Sequence, residues 1–219
     1  MLSKAIIFLV LTWVSMCSAV DWYHFIPYNT STCSGANIGL GYSIKGDGYC
    51  QSGIEGTYHA MTTIVAPANT SVKIQFYQNT NPKVCASPTL SSTYTLNTCQ
   101  DSLLQGFNMD PNGLWYARQF YVNKTGVPYY PTSAGAQSNM LFTMYNLGCT
   151  TILSYAYFVG YQTLVDPNDP DISYNYYCSG GTPYREYCEN PYGCDSPQDL
   201  SQSCYANYSY FLARTITCV

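Results

Sequence analysis

Eleven cysteines punctuate the chain, and their number and setting constrain the fold more than any other feature. Residues 1–19 supply the setting. They carry one charge at Lys4, an apolar run over 5–14, and then Cys17-Ser18-Ala19. A charged start, a hydrophobic middle and a small-residue end make a secretory signal peptide. The run is too short to span a bilayer. Removing 1–19 takes Cys17 with it and leaves ten cysteines: Cys33, Cys50, Cys85, Cys99, Cys149, Cys178, Cys188, Cys194, Cys204 and Cys218. An even number in an oxidising compartment reads as five disulfides. Sequence leaves their connectivity open. Neighbours in the chain, such as Cys85 and Cys99, are geometrically the first pairing to expect.

Charge narrows the partners. Cleavage removes Lys4 and no acid, leaving 12 acidic residues against 7 basic ones, a formal charge of −5. No basic cluster occurs, which argues against nucleic acid and anionic membranes. Charged residues are only 9% of the chain, so solubility must come from other polar groups. The 24 tyrosines supply hydroxyls. Glycan would supply more, through the four Asn-x-Ser/Thr triplets at Asn29, Asn69, Asn123 and Asn207. After residue 20 no apolar stretch reaches the roughly 18–20 residues of a membrane span. Nor do residues 212–219 form the longer apolar tail of a lipid-anchor signal. These features predict a secreted, extracellular protein with no membrane insertion.

Helix formers are scarce, while Tyr, Thr, Val and Ile abound, a bias toward pleated strands. Residues 72–78 alternate cleanly, with Val72, Ile74 and Phe76 on one face. Residues 57–66 and 92–97 look similar. Asp110-Pro111-Asn112-Gly113 is a strong turn, and an aromatic strand over 114–122 should follow it. Both alternating faces of 150–165 are apolar. That predicts a strand covered on both sides, or two strands meeting near Gly160. Residues 205–218 would close the fold as a strand or hairpin. The expected architecture is all-β: a disulfide-stabilised antiparallel sandwich or barrel-like fold over 20–219. Small residues and two prolines over 127–138 mark an exposed loop and a sub-division there. Hydrophobic periodicity fades over 178–204, which predicts a Cys-rich irregular segment held by cross-links.

No catalytic constellation emerges. Only His24 and His59 exist, and no Gly-x-Ser-x-Gly elbow is present. Without Cys-x-x-Cys, and with cysteines oxidised, neither zinc nor a thiol nucleophile is expected. Asp166, Asp169 and Asp171 offer hard oxygens of the kind Ca²⁺ takes. A rigid polar turn explains the same residues more simply, because Asp and Asn make local turns and Pro fixes φ. No metal and no cofactor is therefore assigned. Tyrosines crowd the disulfide-rich region, and Tyr184, Tyr187 and Tyr192 stand out there. Flat amphipathic rings beside Asp and Asn suit carbohydrate, and they suit protein contact equally. Their competing role is to fill the core in place of Phe and Leu.

In its short leader, its Asn/Ser/Thr/Tyr-rich β segments and its scattered paired cysteines, the chain resembles the small secreted Cys-rich proteins of social amoebae. The likeness is compositional, covers the whole chain loosely and assigns no site. The reading is an extracellular protein for recognition, adhesion or matrix assembly, with a protein or glycan partner and self-association left open. The alternatives are a secreted hydrolase using carboxylates such as Glu186 and Glu189, or a secreted inhibitor or effector.

Overall fold

Seventeen strands and no helix occupy the described residues, as the β-branched and aromatic composition requires. In this computed structural model the described residues are 20–52, 59–65, 69–78, 85, 87–88, 90–101, 119–132, 138–165, 169–207 and 212–219. The leader, the turn at 110–113 and Asp166 lie outside them. In chain order the first strands are β1 (Trp22–Tyr28), β2 (Gly39–Lys45), β3 (Gln51–Ser52), β4 (His59–Val65), β5 (Ser71–Gln78) and β6 (Leu90–Thr95). Then come β7 (Thr98–Asp101), β8 (Gln119–Thr125), β9 (Met140–Tyr145), β10 (Ile152–Val159), β11 (Gln162–Val165) and β12 (Ile172–Ser179). The chain closes with β13 (Thr182–Glu189), β14 (Gly193–Cys194), β15 (Gln198–Asp199), β16 (Gln202–Asn207) and β17 (Leu212–Cys218).

Three antiparallel sheets result. The largest has eight strands in the order β16-β17-β9-β10-β2-β1-β8-β7. A four-stranded sheet runs β3-β4-β5-β6, and a five-stranded one runs β11-β12-β13-β14 with β15 also on β13. One apolar core joins all three: Phe25, Tyr42 and Phe158 from the large sheet, Val72, Ile74 and Tyr94 from the second, and Tyr176 from the third. The expected alternation holds over 72–75, with Val72 and Ile74 fully buried and Lys73 and Gln75 half-buried; Tyr77, on the opposite face, is buried too, and the Phe76 side chain lies outside the described set. The double-faced stretch 150–165 takes both expected forms. β10 is buried on both sides, and at Gly160, where φ is +68°, the chain leaves the large sheet and starts the third. Tyrosine does serve as core filler. Tyr23, Tyr42, Tyr94, Tyr157 and Tyr176 are all less than 2% exposed.

The back of the large sheet carries a second cluster of Trp22, Leu141, Tyr155 and Tyr157. Residues 127–132 fold over it. The Tyr130 ring lies 5.0 Å from Tyr155, and Tyr129 meets Tyr157 edge-on at 6.2 Å. The ladder between β2 and β10 joins strands from either side of this segment.

Chain order sets only part of the disulfide pattern: Cys50–Cys85 and Cys188–Cys194 join successive cysteines, and the other three bridges do not. The pairing expected between Cys85 and Cys99 does not form. Cys99 lies on β7 and joins Cys33, in the loop after β1, because β8 pairs with both strands. Cys85 joins Cys50 beside β3 instead. The other bridges are Cys149–Cys204, Cys178–Cys218 and Cys188–Cys194. Cys178–Cys218 ties the five-stranded sheet to the large one. Residues 178–204 are more regular than their composition suggests, with β13, β14, β15 and part of β16 among them. The period-two signal is hidden there because polar and aromatic residues occupy both faces.

Gly41 has no side chain for a steric reason. It sits opposite Tyr157 across the β2–β10 ladder, and a Cβ there would lie 2.3 Å from the tyrosine ring. That ring is fully buried and cannot swing away. Gly41→Ala should therefore destabilise by about 3 kcal/mol in urea unfolding. Gly126→Ala meets nothing within 4 Å and should stay within about 0.5 kcal/mol. Equal effects of the two changes would refute the packing argument.

His24 is 1% exposed and bonded through both ring nitrogens. Thr125 Oγ1 donates to the Val127 carbonyl at 2.6 Å, so it accepts from His24 Nε2–H at 2.7 Å. Nδ1 then accepts from Ser43 Oγ at 2.9 Å. Burial lowers the His24 pKa from 6.5 to about 4. The unfolded chain thus takes up this proton first on acidification. The resulting stability is complete above pH 6.5 and is lost as pH falls toward 4. Urea titrations across that window should show roughly 3 kcal/mol of loss from His24. His24→Gln should shrink the loss by that amount, and an unchanged pH dependence would exclude the assignment.

Candidate functional site

Alternation on the five-stranded sheet sends one set of side chains inward and the other out. Tyr174, Tyr176 and Cys178 of β12 meet the core. Their neighbours Ser173, Asn175 and Tyr177 therefore point to the outer face. The register puts Thr163 of β11 beside Asn175, Tyr184 of β13 beside Tyr177, and Asp199 of β15 beside Tyr184. Glu186 and Cys188 of β13 share that face.

A column of three tyrosine rings crosses this outer face. Tyr161, one residue before β11, stacks on Tyr177 with centroids 5.5 Å apart and planes 19° apart. Tyr177 stacks on Tyr184 at 5.7 Å and 30°. Tyr161 caps the column at the sheet edge and is 49% exposed, so one of its faces is covered and the rest is free. Cross-strand aromatic pairs of this kind stabilise a sheet by roughly 0.2–1 kcal/mol each.

A polar network lies along the column. Tyr177 donates its hydroxyl to Glu186 Oε1 at 2.7 Å, and Asn175 Nδ2 donates to Oε2 at 3.2 Å. Thr163 Oγ1 donates to Asn175 Oδ1 at 2.8 Å. The bond to Glu186 pushes the Tyr177 phenol up to about 12, so it stays a donor. Ser201 N donates to Asp199 Oδ1 at 2.7 Å and holds that carboxyl below its usual range. Arg185 projects to the opposite face, over the Tyr174 ring at 5.8 Å. Among the described residues of the outer face there are two carboxylates and no cation.

Glu186, Cys188 and Cys194 bring their ligand-type atoms within 4.8 Å of one another. The two sulfurs are bonded to each other, so neither is a thiolate that a metal could take. Of the acidic loop, Asp169 Oδ1 accepts from Asp171 N at 3.1 Å, and its carbonyl accepts from Ile172 N. These two bonds make an Asx-type turn at 169–172. Asp171 Oδ1 in turn accepts from Asn190 Nδ2 at 3.3 Å.

The three tyrosines marked in the sequence separate in space. Tyr184 belongs to the outer column. Tyr187 lies on the inner face, edge-on to Tyr174 at 5.6 Å, with its hydroxyl on Glu189. Tyr192 stands on the turn between β13 and β14 and is 84% exposed. Sequence reasoning missed Tyr161, which lies outside the Cys-rich region. Its signal was Gly160, whose turn sends the chain to the edge beside β12. Of the glycan triplets, Asn29 and Asn69 are exposed. Asn123 is half-buried on β8 with its Oδ1 sealed from solvent, and the Asn207 side chain is outside the described set.

No curated protein and no solved structure matches this chain. A family model of social amoebae, the group its composition resembles, matches residues 2–215. On that nearly complete span the protein belongs to the counting factor-associated protein A/B/C family.

Proposed function

We propose that this is a secreted, N-glycosylated recognition protein that binds neutral glycan chains on the outer face of its five-stranded sheet. Five disulfides and the family membership support an extracellular protein. The observation that carries the reading is the half-exposed tyrosine column set beside two carboxylates with no cation. The C–H face of a sugar packs on a ring such as Tyr161, and its hydroxyls donate to Glu186 and Asp199. The same charges repel sulfated or uronic chains, because no Lys or Arg on the face neutralises them. Adhesion or matrix assembly would follow from such binding at the cell exterior.

Retention on cellulose or chitin tests this reading. The purified protein should bind the neutral polymer and ignore heparin. Tyr161→Ala and Tyr184→Ala should each weaken binding by about 1 kcal/mol or more. Heparin preference, or variants that bind like the wild type, would defeat the assignment. Turnover of the polymer that disappears in Glu186→Gln, with the fold intact, would establish the hydrolase instead.

Glycan on the protein itself follows from exposure. Amidase release of N-glycans in heavy-oxygen water should leave an isotopic deamidation mark at Asn29 and Asn69, and none at Asn123. Unmodified Asn29 and Asn69 peptides from native material would show the triplets to be unused.

A further inference from the structure

We infer that the turn carrying Tyr192 is a second recognition element, which seats its ring in a basic-rimmed pocket of a partner protein. The turn is closed covalently and by hydrogen bonds. Cys188 and Cys194 face each other across β13 and β14 and are joined, leaving five residues between them. Gly193 supplies a φ of +93° that returns the chain. Asn190 N donates to the Asp171 carbonyl at 2.8 Å, and Asn190 Nδ2 reaches Asp171 Oδ1. Asp195 N donates to the Tyr187 carbonyl at 2.8 Å on the far side.

On this fixed base the chain is exposed without interruption from Pro191 to Asp199. Tyr192 is the most exposed large hydrophobic side chain described, at 84%. A large ring held out by a cross-linked turn gives contact area while losing little freedom on binding. It does not serve the column: from Tyr184 to Glu189 alone β13 runs about 17 Å. Around the turn stand Asp169, Asp171, Glu189 and Asp195, and no Lys or Arg lies between residues 186 and 207. The matching surface on a partner is therefore concave, aromatic-accepting and rimmed by Lys or Arg.

Saturation binding of the fluorescently labelled full protein to intact amoeba cells tests this. Wild type should bind saturably. Tyr192→Ala should weaken binding at least ten-fold, and Tyr192→Phe should keep most of it. The exposed position makes both variants fold as wild type, which unfolding midpoints would check. Trypsin treatment of the cells should remove the component that depends on Tyr192, and raising the salt should weaken it. Tyr184→Ala should leave that component intact, so that loss of glycan binding and loss of this contact are told apart. Absence of saturable binding, wild-type affinity in Tyr192→Ala, or a Tyr192-dependent component that resists trypsin would each overturn the inference.

Discussion

The ladder between β2 and β10 is the constraint on which the rest of the structure depends. It joins strands drawn from either side of the 127–138 segment and sits at the centre of the eight-stranded sheet. Tyr157 covers Gly41 there, filling the space that a side chain would occupy. In front of the ladder Tyr42 and Phe158 enter the common core, and behind it Tyr129 and Tyr130 cover Tyr155 and Tyr157. A glycine and a tyrosine facing one another thus let both faces of the sheet close. Apolar burial of about 25 cal/mol per Å² then acts on both sides of the same strands.

Much of this was written in the chain. Alternation located β5, and the doubled apolar faces of 150–165 located β10 and the change of sheet at Gly160. What alternation could not tell was which tyrosines face inward. Tyr176 and Tyr177 are adjacent, chemically identical and on opposite faces, so only pairing with β11 and β13 assigns one to the core and the other to the column. Disulfide partners were hidden for the same reason. Cys99 finds Cys33 through β8, a strand that lies in neither of their own segments. Tyr184, Tyr187 and Tyr192 looked like one patch because they are close in sequence. An extended strand carries them to the outer face, the inner face and the tip.

Tyrosine allows one residue type to serve these different environments. Its ring packs like Phe in the core, while its hydroxyl bonds to carboxylates at the surface, as Tyr177 does with Glu186. A chain with 9% charged residues needs such a side chain, since it has few other ways to be apolar below and wet above. The carboxylates of the outer face gain from it as well, for they are oriented by hydroxyl and amide donors and not by cations. Orientation without neutralisation keeps their charge available to a ligand.

Each disulfide stays on its own side of the 127–138 segment. Cys33–Cys99 and Cys50–Cys85 lie before it; Cys149–Cys204, Cys178–Cys218 and Cys188–Cys194 lie after it. Covalently the molecule is therefore two cross-linked knots on one thread, although its central sheet is shared. One cut within 127–138 would leave two separate molecules clasped only by the β2–β10 ladder and the packing around it. The cross-links strengthen each half, while the union of the halves rests on non-covalent contact alone. Two fragments made apart, each with its own bridges formed, carry between them every bond that the intact protein has except the backbone of the thread.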